Sequence, residues 1–168
     1  MPNSLDTQEA VIKRMRNADI RSAISIAEKC GLSPWSHKNY LDELARKDSI
    51  MLCLRLEEPD IVGFIVGRIV KGATDEPSFV AEIYNVGVHP KFQRAGFGQD
   101  LLDAFVQACL EGDAGQIWLE VRAANLTART FYERNDFQKI TVRKSFYSQP
   151  IDDAVIMRKI LQQSVKLT

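Results

Sequence analysis

Residues 79–99 constrain this chain more than any other stretch. Phe79 to Val88 reads as a strand and is followed by His89-Pro90. Gln93-Arg94-Ala95-Gly96-Phe97-Gly98-Gln99 then leads into a long helix with Phe97, Leu101, Phe105 and Ala108 on one stripe. Such a strand, loop and helix belong in a sheet that carries helices on its faces. The loop also builds an anion site, because unpaired backbone N–H groups and the positive end of the helix dipole point at whatever sits there. Glycines at 96 and 98 let a phosphate approach the backbone closely. No Gly-Lys-Ser/Thr follows, so this is not a Walker loop, and the GxGxxG spacing of a dinucleotide fold is missing. The residues alone leave open a glycine-assisted helix start with no ligand. Composition narrows the choice: 22 Lys+Arg balance 22 Asp+Glu, for a formal net charge of zero. That balance argues against a nucleic-acid binder or a membrane-surface protein, both of which rely on summed positive potential, and leaves any anionic ligand to local groups.

The rest of the chain alternates in type. Val11 to Met15 is a short strand. Asn17 is placed to cap a helix bearing Ile20, Ala23, Ile24 and Ala27 and ended by Gly31; Ser36 can cap a second helix with Tyr40, Leu41 and Leu44. Strands over 50–56 and 61–70 are joined by Glu57-Glu58-Pro59-Asp60, the turn of an antiparallel hairpin. Gln116 to Val121 alternates Ile117, Leu119 and Val121 with Trp118 and Glu120. A helix over about 125–133 and closing strands over about 137–145 and 154–159 complete the order β-α-α-β-β-β-α-β-α-β-β, an α/β chain with a mixed sheet. Without repeats or a linker-like change of composition, residues 1–168 read as a single domain, with a core from about 9 to 161 and a short tail over 162–168. Cys30, Cys53 and Cys109 are widely spaced among apolar neighbours, which suits reduced structural thiols. With only two histidines, His37 and His89, no metal-ligand spacing is present. Neither a secretory signal nor a membrane-length apolar run is visible, so a cytoplasmic protein is expected.

The pattern Gln-x-x-Gly-x-Gly at Gln93, Gly96 and Gly98, preceded by Val86-Gly87-Val88-His89-Pro90, resembles the acetyl-coenzyme A loop of the GNAT superfamily of N-acetyltransferases. The likeness continues through Trp118-Leu119-Glu120-Val121-Arg122-Ala123-Ala124-Asn125, Phe131-Tyr132-Glu133 and Arg143-Lys144-Ser145-Phe146-Tyr147. These stretches, with Pro34-Trp35-Ser36 and Asp153 to Met157, resemble the RimI-type branch, which acetylates the N-terminal alanine of a small-subunit ribosomal protein. The resemblance implies a GNAT fold: a central, mostly antiparallel sheet with splayed strands and about four helices. It implies acetyl-CoA as co-substrate, no metal, and a ribosomal protein N-terminus as partner. Coenzyme contacts fall on Val86, Gly87 and Val88, then Gln93, Arg94, Ala95, Gly96, Phe97, Gly98 and Gln99, then Asn125 and Tyr132. Asn125 and Tyr132 are two helical turns apart, so one helix face can present both; otherwise Asn125 is only a cap and Tyr132 only packs.

The same resemblance assigns a base to Glu120 and an acid to Tyr132, with direct attack of the amine in a ternary complex. Tyr132 can instead serve only to position the sulfur, and Glu120 can be a solvent-exposed salt-bridge residue. Trp35, Glu82 and Tyr147 fall where the resemblance places the acceptor peptide: the loop between the first helices, the strand facing the acetyl group, and the loop between the last strands. Glu82 shares a strand face with Tyr84 and is a second candidate base; Trp35 suits a core role equally. The chain departs from the RimI-type pattern at Asn135-Asp136, where a glycine is usual, and at Phe146, where a tyrosine is usual. The first change suits left-handed backbone, which Asn and Asp tolerate; the second bears on fine specificity. A GNAT enzyme for small-molecule amines, and a non-catalytic acyl-CoA-binding module, are the competing expectations.

Overall fold

In a computed structural model, which describes residues 9–56 and 60–162, the predicted order of elements is present throughout. The strands are β1 (Val11–Arg14), β2 (Ser49–Arg55), β3 (Ile61–Lys71), β4 (Phe79–Val88), β5 (Gln116–Arg122), β6 (Gln138–Ser148) and β7 (Ile151–Ile160). The helices are α1 (Ile20–Lys29), α2 (His37–Leu44), α3 (Phe97–Glu111) and α4 (Leu126–Arg134). Short 3₁₀ turns at Asn17–Asp19 and Pro90–Phe92 were not expected from the sequence. Glu57, Glu58 and Pro59 of the expected hairpin turn lie outside the described residues, as does the tail from 163.

The chain forms two compact units. The first holds residues up to Gly67 together with Asn85–Ala108, with strand order β1-β2-β3-β4. β1 pairs antiparallel with β2. Its core gathers Ile20, Ala23 and Ile26 of α1, Tyr40 of α2, Phe64 and Ile65 of β3, and Leu101, Leu102 and Phe105 of α3. The stripe on α3 thus runs through 101, 102 and 105, with Ala108 only half-buried. Two glycines are set by close approach: a methyl group at Gly63 would stand 3.1 Å from Leu101, and one at Gly87 would stand 3.1 Å from both Ile26 and Phe64.

The start of α1 corrects the expectation at Asn17. The cap position is Asp19, whose carboxylate makes no cap hydrogen bond to the helix. It accepts the Arg16 N–H at 2.8 Å and pairs with the buried Arg55 at 2.6 Å. Ser36 caps α2 as expected, accepting the Asn39 N–H at 3.1 Å. Gly31 follows α1 at φ +65°, a left-handed stop.

The second unit holds Arg68–Tyr84 and the chain from Cys109, with strand order β3-β4-β5-β7-β6. β4 and β5 run parallel with Ala81↔Ile117, Glu82↔Trp118 and Ile83↔Leu119 in register. β5 is antiparallel to β7 over its whole length, Gln116↔Ile160 to Arg122↔Ala154. Ile117, Leu119 and Val121 are buried, while Glu120 on the other face is exposed. The closing hairpin is longer than the sequence suggested. β6 runs on to Ser148, so Tyr147 lies in a strand, opposite Asp152, and not in the loop between the last strands. The reason is a bulge: between Arg143↔Ala154 and Tyr147↔Asp152, three residues of β6 face one of β7. Ser145 takes φ +52° there, and its N–H donates to Asp153 Oδ1 at 2.8 Å, which hides the strand period from a sequence reading. At the end of α4, Asp136 sits at φ +65°, the left-handed position expected where a glycine is usual.

Candidate active site

The glycine-bearing loop lies in the first unit. Arg94 at φ +62° and Gly96 at φ +85° turn the backbone sharply before α3. The Asp100 N–H closes the first helical bond onto the Gly96 carbonyl at 3.0 Å. Amides at 96–99 therefore precede the helical ladder, with the positive end of a 15-residue helix behind them. A Cβ placed on Gly96 would meet nothing within 4 Å, so the loop is open where an anion would approach. Gln93 braces the entry, its Nε2 donating to the Val88 carbonyl at 2.9 Å. Cys30 Sγ donates to the same oxygen at 3.2 Å; burial raises its pKa, against the lowering effect of the bonds to Val88 and Gln93. Trp35, half-buried in the segment between α1 and α2, lies tilted against the Tyr40 ring at 5.3 Å and so has a packing role whatever else it does.

The second unit holds the other predicted residues. Glu82 and Tyr84 project from one face of β4, and the Tyr84 hydroxyl donates to Glu82 Oε2 at 2.6 Å, with Arg68 over the Tyr84 ring. On β5, Glu120 pairs with Arg143 Nη1 at 3.0 Å. Arg122 lies 4.2 Å over the Tyr147 ring and donates to the Pro150 and Gln149 carbonyls. Tyr147 feels both Glu120 and Arg122; its phenol is raised by burial first and by the Glu120 charge second, with Arg122 opposing. Asn125 caps α4, its Oδ1 accepting the Ala128 N–H at 3.1 Å. Tyr132 is 9 % exposed and packs edge-on against Phe131 and Phe137. Burial, with Tyr147 nearby, pushes its phenol up to about 12. The residues of α4 thus differ in setting: Asn125 is an exposed cap and Tyr132 a core residue with a polar tip.

Sequence reasoning missed Arg143 and the Arg122–Tyr147 stack. All three residues stood in quoted runs, but their partners are set by the pairing of β5, β7 and β6. Among the described residues no group of His, Cys, Asp and Glu is placed to hold a metal, and no helix is long and apolar enough to cross a membrane.

The first unit offers an open helix N-terminus at Gly96, and the second a strand carboxylate at Glu120 and a buried phenol at Tyr132. The chain belongs to the acetyltransferase (GNAT) family, whose model matches residues 20–137 and so runs through both units. Within it, the chain is 31 % identical over 149 residues to the [ribosomal protein bS18]-alanine N-acetyltransferase of Salmonella typhimurium, covering 87 % of this chain and 94 % of that one. The crystal structure of the ribosomal-protein-S18-alanine N-acetyltransferase from Escherichia coli superposes with a TM-score of 0.79 at 25 % identity, covering 95 % and 99 % of the two chains. Chaetomium thermophilum Naa20, solved in complex with a bisubstrate analogue, gives 0.76 at 26 % identity over 94 % and 90 %. The fold is the mixed α/β fold of GNAT enzymes, and the protein is an N-acetyltransferase.

Proposed function

We propose that this enzyme transfers the acetyl group of acetyl-CoA to the N-terminal alanine of ribosomal protein bS18, in the cytoplasm, by direct attack in a ternary complex. The observation that carries the reading is the likeness to bS18-alanine N-acetyltransferases over nearly nine-tenths of the chain. The open loop at Gly96 supports the co-substrate, because it offers what a pyrophosphate needs: clustered amides, a helix dipole and no side chain in the way. Backbone N–H groups from Arg94 to Gln99 hold the diphosphate, with the exposed Arg94 adding charge. Val86, Gly87 and Val88 of β4 and the cap Asn125 are the further contacts carried over from the family pattern. Acetyl-CoA, when bound, supplies an acetyl thioester, so no activated acyl group has to be built on the protein.

The work left to the side chains is proton handling and orientation. An N-terminal amine has a pKa of about 8 and arrives largely as ammonium at neutral pH. Glu120 receives that ammonium and takes its proton as the N–C bond forms and the C–S bond breaks; Glu82, held by Tyr84, is the second carboxylate available. A thiol titrates near 8.5, so full proton transfer from a phenol at about 12 would be uphill by about 5 kcal/mol. Tyr132 therefore acts as a hydrogen-bond donor that positions the sulfur, and the thiolate's proton comes from the ammonium or solvent. Trp35 and Tyr147 are the acceptor-peptide residues carried over from the family pattern.

The test is acetylation of an alanine-initiated bS18 peptide beside a panel of small amines. The peptide is the preferred acceptor, Glu120→Gln lowers kcat/KM by about 10²- to 10⁴-fold, and Tyr132→Phe lowers it by about ten- to a hundred-fold through one lost hydrogen bond. Preference for small amines, acetyl-CoA binding without turnover, or full activity in both variants would overturn the assignment.

A further inference from the structure

The carboxylate of Glu120 is already engaged. Arg143 Nη1 stands 3.0 Å from Glu120 Oε1 and forms an ion pair with it. The side chain reaches from the edge strand β6 across β7 to β5. It can do so because Ala154, in register with Arg143 on one side and Arg122 on the other, contributes only a methyl group to β7 at that row. Its other neighbour is Phe146, with the guanidinium carbon 5.6 Å from the ring centroid. Arg122, the next cation on β5, is committed to two backbone carbonyls and the Tyr147 ring. Arg143 is 60 % exposed and Glu120 36 %, so the pair is weak and exchangeable.

From this geometry we infer that Arg143 is a surrogate for the acceptor ammonium: it neutralises Glu120 in the free enzyme, yields to the charged N-terminus, and returns once acetylation has removed that charge. The inference rests on Glu120 as the residue that receives the amine. One cation leaves Glu120 as another arrives, so the carboxylate is never left bare, and the Phe146 face keeps a second seat for the displaced guanidinium. The product is an uncharged amide and does not compete for Glu120, so Arg143 re-pairs without changing the affinity for the product. Arg143 touches no reacting atom and is a positioning residue that holds the Glu120 carboxylate until the ammonium replaces it.

The experiment is equilibrium binding, in the presence of coenzyme A, of an alanine-initiated peptide and of its Nα-acetylated form to the wild-type chain and to Arg143→Gln, Arg143→Lys and Glu120→Gln. Removing an exposed competing ion pair tightens the free-amine peptide about two- to five-fold in Arg143→Gln. The acetylated peptide does not change, and Arg143→Lys stays close to wild type. A general structural role for Arg143 would weaken both peptides together. Unchanged or weaker binding of the free amine in Arg143→Gln, or equal tightening of both peptides, overturns the inference. Glu120→Gln separates the two readings. If it binds the free amine as wild type does, the role of Glu120 itself has failed. If it binds more weakly while Arg143→Gln shows no tightening, only the exchange has failed.

Discussion

Asp19 illustrates how a single side chain is read differently by sequence and by structure. In the sequence it is one polar residue at a helix start; in the fold its carboxylate is 2 % exposed and held by an arginine 4 % exposed. Burial alone would raise its pKa, but the hydrogen bonds and charge of Arg55 and the bonds from Arg16 outweigh it and hold the carboxyl below its ordinary value. A depressed folded pKa contributes stability that is complete above the unfolded value, about 4, and lost as pH falls through the folded one. Asp19→Asn leaves Arg55 buried without its counter-charge and costs about 3–5 kcal/mol in urea unfolding at neutral pH. The same variant loses the acid-dependent part of the stability curve below about pH 4, which pH-resolved unfolding checks. Glu120 was legible as an outward residue because strand alternation is local. Its partner Arg143 was not, because 23 residues separate them in the chain.

At the level of elements, the loop before α3 was the most legible feature, because glycine at a left-handed turn and the open N-terminus of a helix are both written in neighbouring residues. Gly96→Ala puts a Cβ on a residue at φ +85° with open space around it, so the cost is in the backbone and not in a clash. It lowers stability by about 1–2 kcal/mol in thermal unfolding. The new methyl also stands where the pyrophosphate is proposed to lie, so the acetyl-CoA KM rises about ten-fold, with the acceptor KM little changed. The β6–β7 hairpin was the least legible element. Its bulge depends on Asp153 Oδ1 replacing a ladder partner for the Ser145 N–H, and an edge strand with exposed residues on both faces gives no clean alternation to read. The Tyr147 position followed from that one irregularity.

Over the whole molecule, the zero net charge fixes how an anionic co-substrate is met. Without a global positive field, attraction comes from oriented amides within a few ångströms of the loop, which salt screens little. Between about 20 and 150 mM salt the acetyl-CoA KM should therefore change by less than about three-fold; steady-state kinetics at fixed pH measure it, and a steep salt slope would point to long-range steering. The sequence by itself determined the order of strands and helices, the anion-binding turn, the left-handed residue after α4 and the family. Each of these is encoded by residues within one or two turns of one another, where side-chain period and backbone freedom act locally. Only the tertiary structure decided which charges meet. It buried Asp19 against Arg55, sank Tyr132 into an aromatic core, and brought Arg143 to Glu120. Those outcomes depend on strand register and on what packing leaves exposed, and both are set by contacts between segments far apart in the chain.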